Sequence, residues 1–432
     1  MNFPYGNLVF LQRLTQGIMG LLTLFFVAKY LSFEQQGWYY TFSSIAAVYT
    51  IFDLGLSVVL VQLAAHAFVS LGWNQSGRIV GDFNNQFKSL LQSSIFFYSC
   101  LAVLYILIVL PFGFFLFLHK EPLSENWFLP WLSLVTFTGL NILSLPYIAL
   151  VEGSGRVNEV YCLRIFQNFF GAICLWVALI LGYNLWALSI LPSIAFGFAL
   201  MWLILFKPSL LKDSFYKNTR TFIWKKEVWP LQWRVGLSWL SGYLLTQIYT
   251  PILFHFNSPK VAGQMGLSLT IANMLGLLAQ SWITHRLPDL GKSVASKNWV
   301  QFDQIFKQDF KFSLLFYFLG CIFLCLVIFV INNQTNYGER LLPFFTFIAL
   351  LIVVLINHIN GALNAHLRSF KKEPLVFISL ISTFITIPIA LYGAINFSAI
   401  GVVFAILFVQ ILFTLPTTIY FWIKYNREWR IE

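Results

Sequence analysis

Charge is what this chain has least of. Only 10% of its 432 residues are Asp, Glu, Lys or Arg, and just 16 residues are acidic, against roughly 25% charged in an ordinary soluble domain. Spread over a water-facing surface, so few charges would leave apolar patches larger than soluble proteins carry. A soluble globular protein is excluded. Cysteine is scarce too: Cys100, Cys162, Cys174, Cys321 and Cys325 all fall within apolar runs and form no CxxC pair, so packing roles are expected rather than disulfides or a metal centre. Paired carboxylates, HExxH, GxSxG and a Walker loop are missing, as is any cofactor motif. The chain is expected not to be an enzyme.

What is present is apolar length. Hydrophobic residues make up 59% of the chain, mean hydropathy is +0.76, and the apolar runs last about 20 residues, the length of a helix crossing a ~30 Å hydrocarbon core. Such runs exclude a transmembrane barrel, whose segments alternate over about ten residues. They also exclude an interfacial helix, which needs a strongly charged face. The fold class is all-α: a polytopic membrane protein with spans near 8–29, 38–66, 89–118, 128–151, 160–182, 185–206, 233–256, 263–285, 310–331, 341–366, 375–395 and 400–423. Gly182-Tyr183-Asn184 and Asn396-Phe397-Ser398 divide runs too long for one crossing.

Basic residues orient these twelve helices. With the N-terminus inside, inner segments hold 23 of the 27 Lys and Arg, and outer segments only Lys29, Lys120, Lys260 and Arg340. This asymmetry obeys the positive-inside rule and places both termini in the cytoplasm. The N-terminal MNFPYGNLVFLQR lacks the basic leader of a cleavable signal peptide. The net charge of +11 therefore gathers on the inner face, where it sets topology and attracts anionic lipid; nucleic acid is not an expected partner.

The longest basic loop separates the sixth and seventh helices. The expected organisation is a six-helix bundle over 1–206, a basic cytoplasmic linker over 207–232, a second bundle over 233–423 and a cytoplasmic tail over 424–432. At an offset of 226, Ser32, Gly37, Ile45 and Ala46 correspond to Ser258, Gly263, Ile271 and Ala272. Parallel repeats of this kind are a known transporter plan. Outer connections such as 119–127 and 332–340 span about nine residues, too few for the folded catalytic domain of a glycosyltransferase or polymerase.

Several polar residues sit inside the spans. Asp53 lies well within the second helix, with Tyr49 and Ser57 on its face. A carboxylate near the bilayer centre costs about 2.5–3.5 kcal/mol on insertion scales, so Asp53 either serves a cation or proton coupled to transport or pairs with a neighbouring group to hold the hairpin. Polar stripes run along helix 1 (Arg13, Gln16, Gly17, Gly20, Thr23), helix 8 (Asn273, Gln280, Thr284) and helix 10 (Asn357, Asn360, Asn364, Arg368, beside His358 and Gly361). Each stripe either bonds between helices or lines a hydrophilic cavity, and three stripes in both halves favour a cavity. His358 is the histidine placed to act as a protonation switch. Arg13, Arg156, Arg164, Arg234 and Arg368 lie near inner span ends, where guanidinium forks match phosphate oxygens or anchor the interface. Lys29 stands at an outer end.

The stretch from Ala28-Lys29-Tyr30-Leu31 through Gly37 to Phe52-Asp53-Leu54-Gly55-Leu56, together with LVEGSGRVNEVYCLR at 150–164, resembles bacterial polysaccharide flippases. These are the Wzx-type O-antigen and capsule-unit translocases of the multidrug/oligosaccharidyl-lipid/polysaccharide exporter superfamily. The resemblance implies two six-helix bundles around a central, often cationic cavity in the cytoplasmic membrane. It implies alternating access that carries a polyprenyl-diphosphate-linked oligosaccharide from the inner to the outer leaflet, with other polysaccharide-assembly membrane proteins as possible partners. Without an ATP motif, energy is expected from a gradient, from consumption of product or from membrane potential. Two negative charges moving outward across ~100 mV gain about 4.6 kcal/mol. The alternatives are a multidrug or small-metabolite exporter of the same superfamily, and a non-transporting scaffold or polymerase subunit.

Overall fold

A computed structural model of the chain describes residues 5–53, 55–74, 78–81, 84–118, 126–215, 228–334, 336–370, 372 and 374–431. They form two compact units: one comprises Met1–Gln35 and Phe42–Tyr243, the other Gln36–Thr41 and Leu244–Glu432.

The first apolar run becomes α1 (Tyr5–Tyr30). Ser32 starts α2 (Phe33–Ala46) with a capping box, its hydroxyl accepting from the Gln35 N–H while the Gln35 side chain accepts from the Ser32 N–H, both at 3.0 Å. The continuous helix expected over 38–66 is instead three pieces, α2, α3 (Tyr49–Asp53) and α4 (Leu56–Ala67). Gly55 enters α4 at φ 66°, a left-handed conformation that glycine alone adopts without strain. A short antiparallel hairpin follows, β1 (Leu71–Trp73) against β2 (Ile79–Gly81), which the all-α expectation did not contain.

Next come α5 (Asn84–Phe117), α6 (Phe128–Ile142), α7 (Leu145–Gly153), α8 (Val157–Ile180), α9 (Ala187–Phe206) and α10 (Pro208–Phe215). The break expected at 182–184 is present: Gly182 takes φ 78° and Asn184–Trp186 is a 3₁₀ turn. Most of the expected linker, residues 216–227, lies outside the described residues. Helix α11 (Trp229–Thr246) belongs with the first unit as far as Tyr243.

The second unit contains α12 (Tyr249–Phe256), α13 (Pro259–Thr284), α14 (Leu287–Ala295), α15 (Trp299–Gln334), α16 (Phe344–Arg368), α17 (Val376–Val409) and α18 (Leu415–Ile431). Ser398 (φ 57°, ψ −145°) breaks α17 into two helices, at the division expected there. A π-helical segment, Gln410–Thr414, joins α17 to α18. Helix α18 runs to Ile431, so residues 424–431 are helix. Arg430 pairs with both Asp303 carboxylate oxygens, at 2.9 and 2.5 Å, tying that end to α15.

Among the described residues, ten helices are long and apolar enough to cross a membrane. Dividing Val376–Arg430 at Ser398 and including the α11–α12 stretch recovers the twelve expected helices. Large apolar side chains face outward along them: Phe345 is 83% exposed, Phe384 72% and Leu277 71%. Hydrocarbon accommodates such surfaces and water does not. The chain is a polytopic helical membrane protein.

The two weakly repeated stretches meet inside the second unit. Ser258 caps α13 by accepting from the Val261 N–H at 3.4 Å, as Ser32 caps α2. Gly37 lies against the Pro259 backbone, and Gly263 lies against the Gly37 backbone. Gln36 sits alongside, its side-chain amide donating to Gly263 O at 3.0 Å and Arg340 O at 3.1 Å.

Candidate functional site

The first site arises from the interruption of α2–α4. A helix that stops inside a membrane leaves carbonyl oxygens without intrahelical partners, and each must find another donor. At this break hydroxyls add to the backbone donors. Tyr243 bonds Ser44 O at 2.9 Å, Tyr105 bonds Ala46 O at 3.1 Å, and Thr50 bonds Ala47 O at 2.9 Å. Asp53 lies at the end of α3, half-buried. Its Oδ1 accepts from the Tyr98 hydroxyl at 2.5 Å and from Ser57 Oγ at 2.9 Å, and the two hydroxyls lie 3.1 Å apart. Tyr98 and Tyr105 are seven residues apart on α5, so one face of that helix serves both Asp53 and the broken α2. Ser57 was visible from i,i+4 spacing. The tyrosines were not singled out, although a buried Tyr hydroxyl in an apolar helix needs a partner and is its own signal.

The second site is a polar seam inside the second unit. Asn357 Oδ1 accepts from Gln410 Nε2 at 2.8 Å, and Gln410 opens the π segment, an irregularity that recurs at functional sites. His358 Nε2 lies 2.5 Å from Ser313 Oγ, and its ring stacks on Tyr317, 5.9 Å between centroids. Gly361 faces the Gln280 side chain from α13. Gln280 Oε1, Asn360 Oδ1, Gln410 Oε1 and His358 Nδ1 are buried without a hydrogen-bond partner among the described residues. An unmet buried acceptor costs about 1–3 kcal/mol. The three amide oxygens can each receive a donor such as a hydroxyl group, and His358 Nδ1 gives or accepts according to its tautomer. Asn273 and Asn364 are half-buried on the same two helices. Gln410 was missed because its partner Asn357 lies 53 positions away.

The helix 1 stripe divides. Thr23 packs on α8, accepting from Trp176 Nε1 at 2.9 Å, whereas Arg13 and Gln16 are exposed, Gln16 accepting from Gln12 at 3.1 Å. The arginines are equally unlike one another. Arg156 pairs with Glu159 at 2.6 Å and lies 4.5 Å from the Trp73 ring. Arg164 pairs with Glu152 at 2.8 Å and faces Tyr161. Arg368 is exposed at the end of α16. Arg234 is on α11, but its side chain lies outside the described residues. Lys29 is exposed beside Phe25 and Tyr30, the surroundings of an interfacial anchor.

No family model matches the chain, and no curated protein does. Solved structures do match its fold. An inward-facing multidrug resistance MATE family transporter of the MOP superfamily aligns with TM-score 0.61 and 13% identity over 95% of this chain and 99% of its own. The lipid II flippase MurJ, in an inward closed conformation, aligns with TM-score 0.61 and 16% identity over 96% of this chain and 86% of its own. The eukaryotic MATE transporter AtDTX14 aligns with TM-score 0.62 and 11% identity over 99% and 96%. The chain has the fold of these transporters.

Proposed function

We propose that this protein flips polyprenyl-diphosphate-linked oligosaccharide units from the inner to the outer leaflet of the bacterial cytoplasmic membrane, by alternating access, for surface polysaccharide assembly. The observation carrying this reading is the amide seam. Its buried acceptors, Gln280 Oε1, Asn360 Oδ1 and Gln410 Oε1, suit a neutral, hydroxyl-rich ligand, whereas an organic cation would call for carboxylates. Fold likeness to a lipid II flippase supports it, as does the flippase-like sequence around Gly37 and Asp53. Arg13 and Arg368, exposed on α1 and α16, are each assigned to first contact with a diphosphate. Asp53 is assigned to coupling, with the Tyr98 clamp as its support.

Deletion of the gene is expected to accumulate lipid-linked oligosaccharide in the inner leaflet and to strip the surface polysaccharide, with the intact gene restoring both. Unchanged surface polysaccharide combined with new sensitivity to toxic cations would instead establish an exporter, the reading that likeness to MATE transporters favours. The seam gives a sharper test. Asn360→Leu removes an unpartnered buried oxygen, so thermal stability should hold or rise by about 1 kcal/mol. Flipping in proteoliposomes should nevertheless fall by about tenfold, the loss of one ligand hydrogen bond. Normal flux in a stable variant would confine Asn360 to packing.

A further inference from the structure

Where α7, α8 and α10 come together in the first unit, two cations converge on one indole. Arg156 Cζ lies 4.5 Å and Lys207 Nζ 4.6 Å from the Trp73 ring centroid. Trp73 belongs to β1, and its Nε1–H donates to Ser154 Oγ at 3.1 Å. One carboxylate serves both cations: Glu159 lies 2.6 Å from Arg156 and 2.8 Å from Lys207. The nearby Arg164–Glu152 pair is already neutral. The cluster therefore keeps one unmatched positive charge. Lys207 is only 1% exposed, an unusual place for an ammonium group.

Two cations bound to one carboxylate are under-neutralised, and a doubly charged anion would match them better. Phosphate oxygens offer the guanidinium a bidentate face and the ammonium a point contact. Arg156 is the N-cap residue of α8, so the positive end of the helix dipole adds to the same field. Burial pushes the Lys207 ammonium below the ordinary lysine range, and Glu159 opposes that shift. Glu159 is thus the anion that favours the charged form of Lys207 in this site. A neutral sugar cannot replace Glu159; an anionic headgroup can.

We propose that Arg156 and Lys207 form a binding site for a phosphate-bearing lipid headgroup in which Glu159 is the resident stand-in, and that loading the site releases Trp73 and with it the β1–β2 hairpin. Exchange breaks no covalent bond. The headgroup takes both cations, Glu159 swings out to water, and the cations leave the indole face. Trp73 then keeps the Ser154 contact and the Phe68 ring, 5.7 Å away, while Leu71 of the same strand stays buried. The site would report an arriving headgroup to the cytoplasmic end of the bundle. This rests on the flippase reading for its natural ligand, since the substrate there carries a diphosphate; bulk anionic phospholipid offers the same phosphate chemistry.

The full-length protein in phosphatidylcholine nanodiscs would be followed by hydrogen exchange at the backbone amides of 71–73 and 79–81. Geranylgeranyl diphosphate should speed exchange about tenfold, and geranylgeraniol, which lacks phosphate, should do nothing. Glu159→Gln leaves two uncompensated cations and should lower the half-effective diphosphate concentration about tenfold. Lys207→Gln and Arg156→Gln should raise it by a similar factor. Should Lys207→Gln fail to fold, the other two variants carry the same comparison. Unchanged hairpin exchange with diphosphate and with phosphatidylglycerol discs would overturn the site, as would variants that respond like the parent. Release by phosphatidylglycerol alone would uphold the phosphate site but assign it to bulk lipid, which separates its fate from that of the flippase reading.

Discussion

Replacing Gly37 with leucine is expected to destabilise the second unit by about 3 kcal/mol or to prevent its folding. A Cβ at this position would overlap the Pro259 carbonyl, and the atoms it meets are all backbone. Overpacking a core costs about 1–3 kcal/mol when neighbouring side chains can shift, and more when they cannot. The Pro259 backbone cannot swing aside, because Ser258 caps α13 at that point and Pro259 itself has a restricted φ. Gly263 is subject to the same limit, since its own Cβ would meet Gly37 N and Cα. Gly17→Ala is the control, because nothing lies within 4 Å of a Cβ there. Thermal denaturation in detergent should separate the variants clearly. A Gly37→Leu protein as stable as the parent would show that the two helices do not meet at these glycines.

Asp53→Asn is expected to slow flipping about tenfold or more while leaving the protein folded. Asparagine keeps an acceptor at Oδ1, so Tyr98 and Ser57, at 2.5 and 2.9 Å, retain a partner and the clamp survives in weaker form. What disappears is the negative charge. A hydrogen bond to a charged group contributes about 1.5–3 kcal/mol, and about 1.4 kcal/mol is a factor of ten in rate. Tyr98→Phe makes the complementary cut, keeping the charge and removing its closest donor. If the node were only a brace for the broken helix, Tyr98→Phe would lower the melting temperature and Asp53→Asn would transport normally. If Asp53 couples transport, the loss of flux follows the charge. Flux in proteoliposomes set against melting temperature for both variants distinguishes the two.

Much of this was legible in the sequence. Crossing helices could be read because a bilayer demands a fixed apolar length, a local requirement met residue by residue. Ser32 with Gly37 and Ser258 with Gly263 could be matched as a repeat because each motif spans six positions, whereas the capping by the two serines came from the structure. Asp53 stood out because a lone carboxylate in an apolar run must have a partner. Its main partner, Tyr98, is 45 positions away, and no spacing rule connects them. The pairing of Arg156 with Glu159 was open to inspection at i,i+3, whereas Lys207 joining them was not. Asn357 and Asn360 shared a face by periodicity, but the acceptor-rich character of that face depended on Gln280 and Gln410 arriving from other helices.

The break after Ala46, between α2 and α3, shows the division most clearly. From sequence the run at 38–66 satisfies every condition for an unbroken helix, and hydropathy is blind to backbone hydrogen bonding. It can break in the membrane only because Tyr105 and Tyr243, from α5 and α11, supply the donors that the freed carbonyls require. The sequence alone determined the membrane environment and the helical spans, since hydrophobic length acts segment by segment. Tertiary structure decided which polar groups meet, where helices break and which arginines are already paired, because those depend on donors and acceptors brought together from distant parts of the chain.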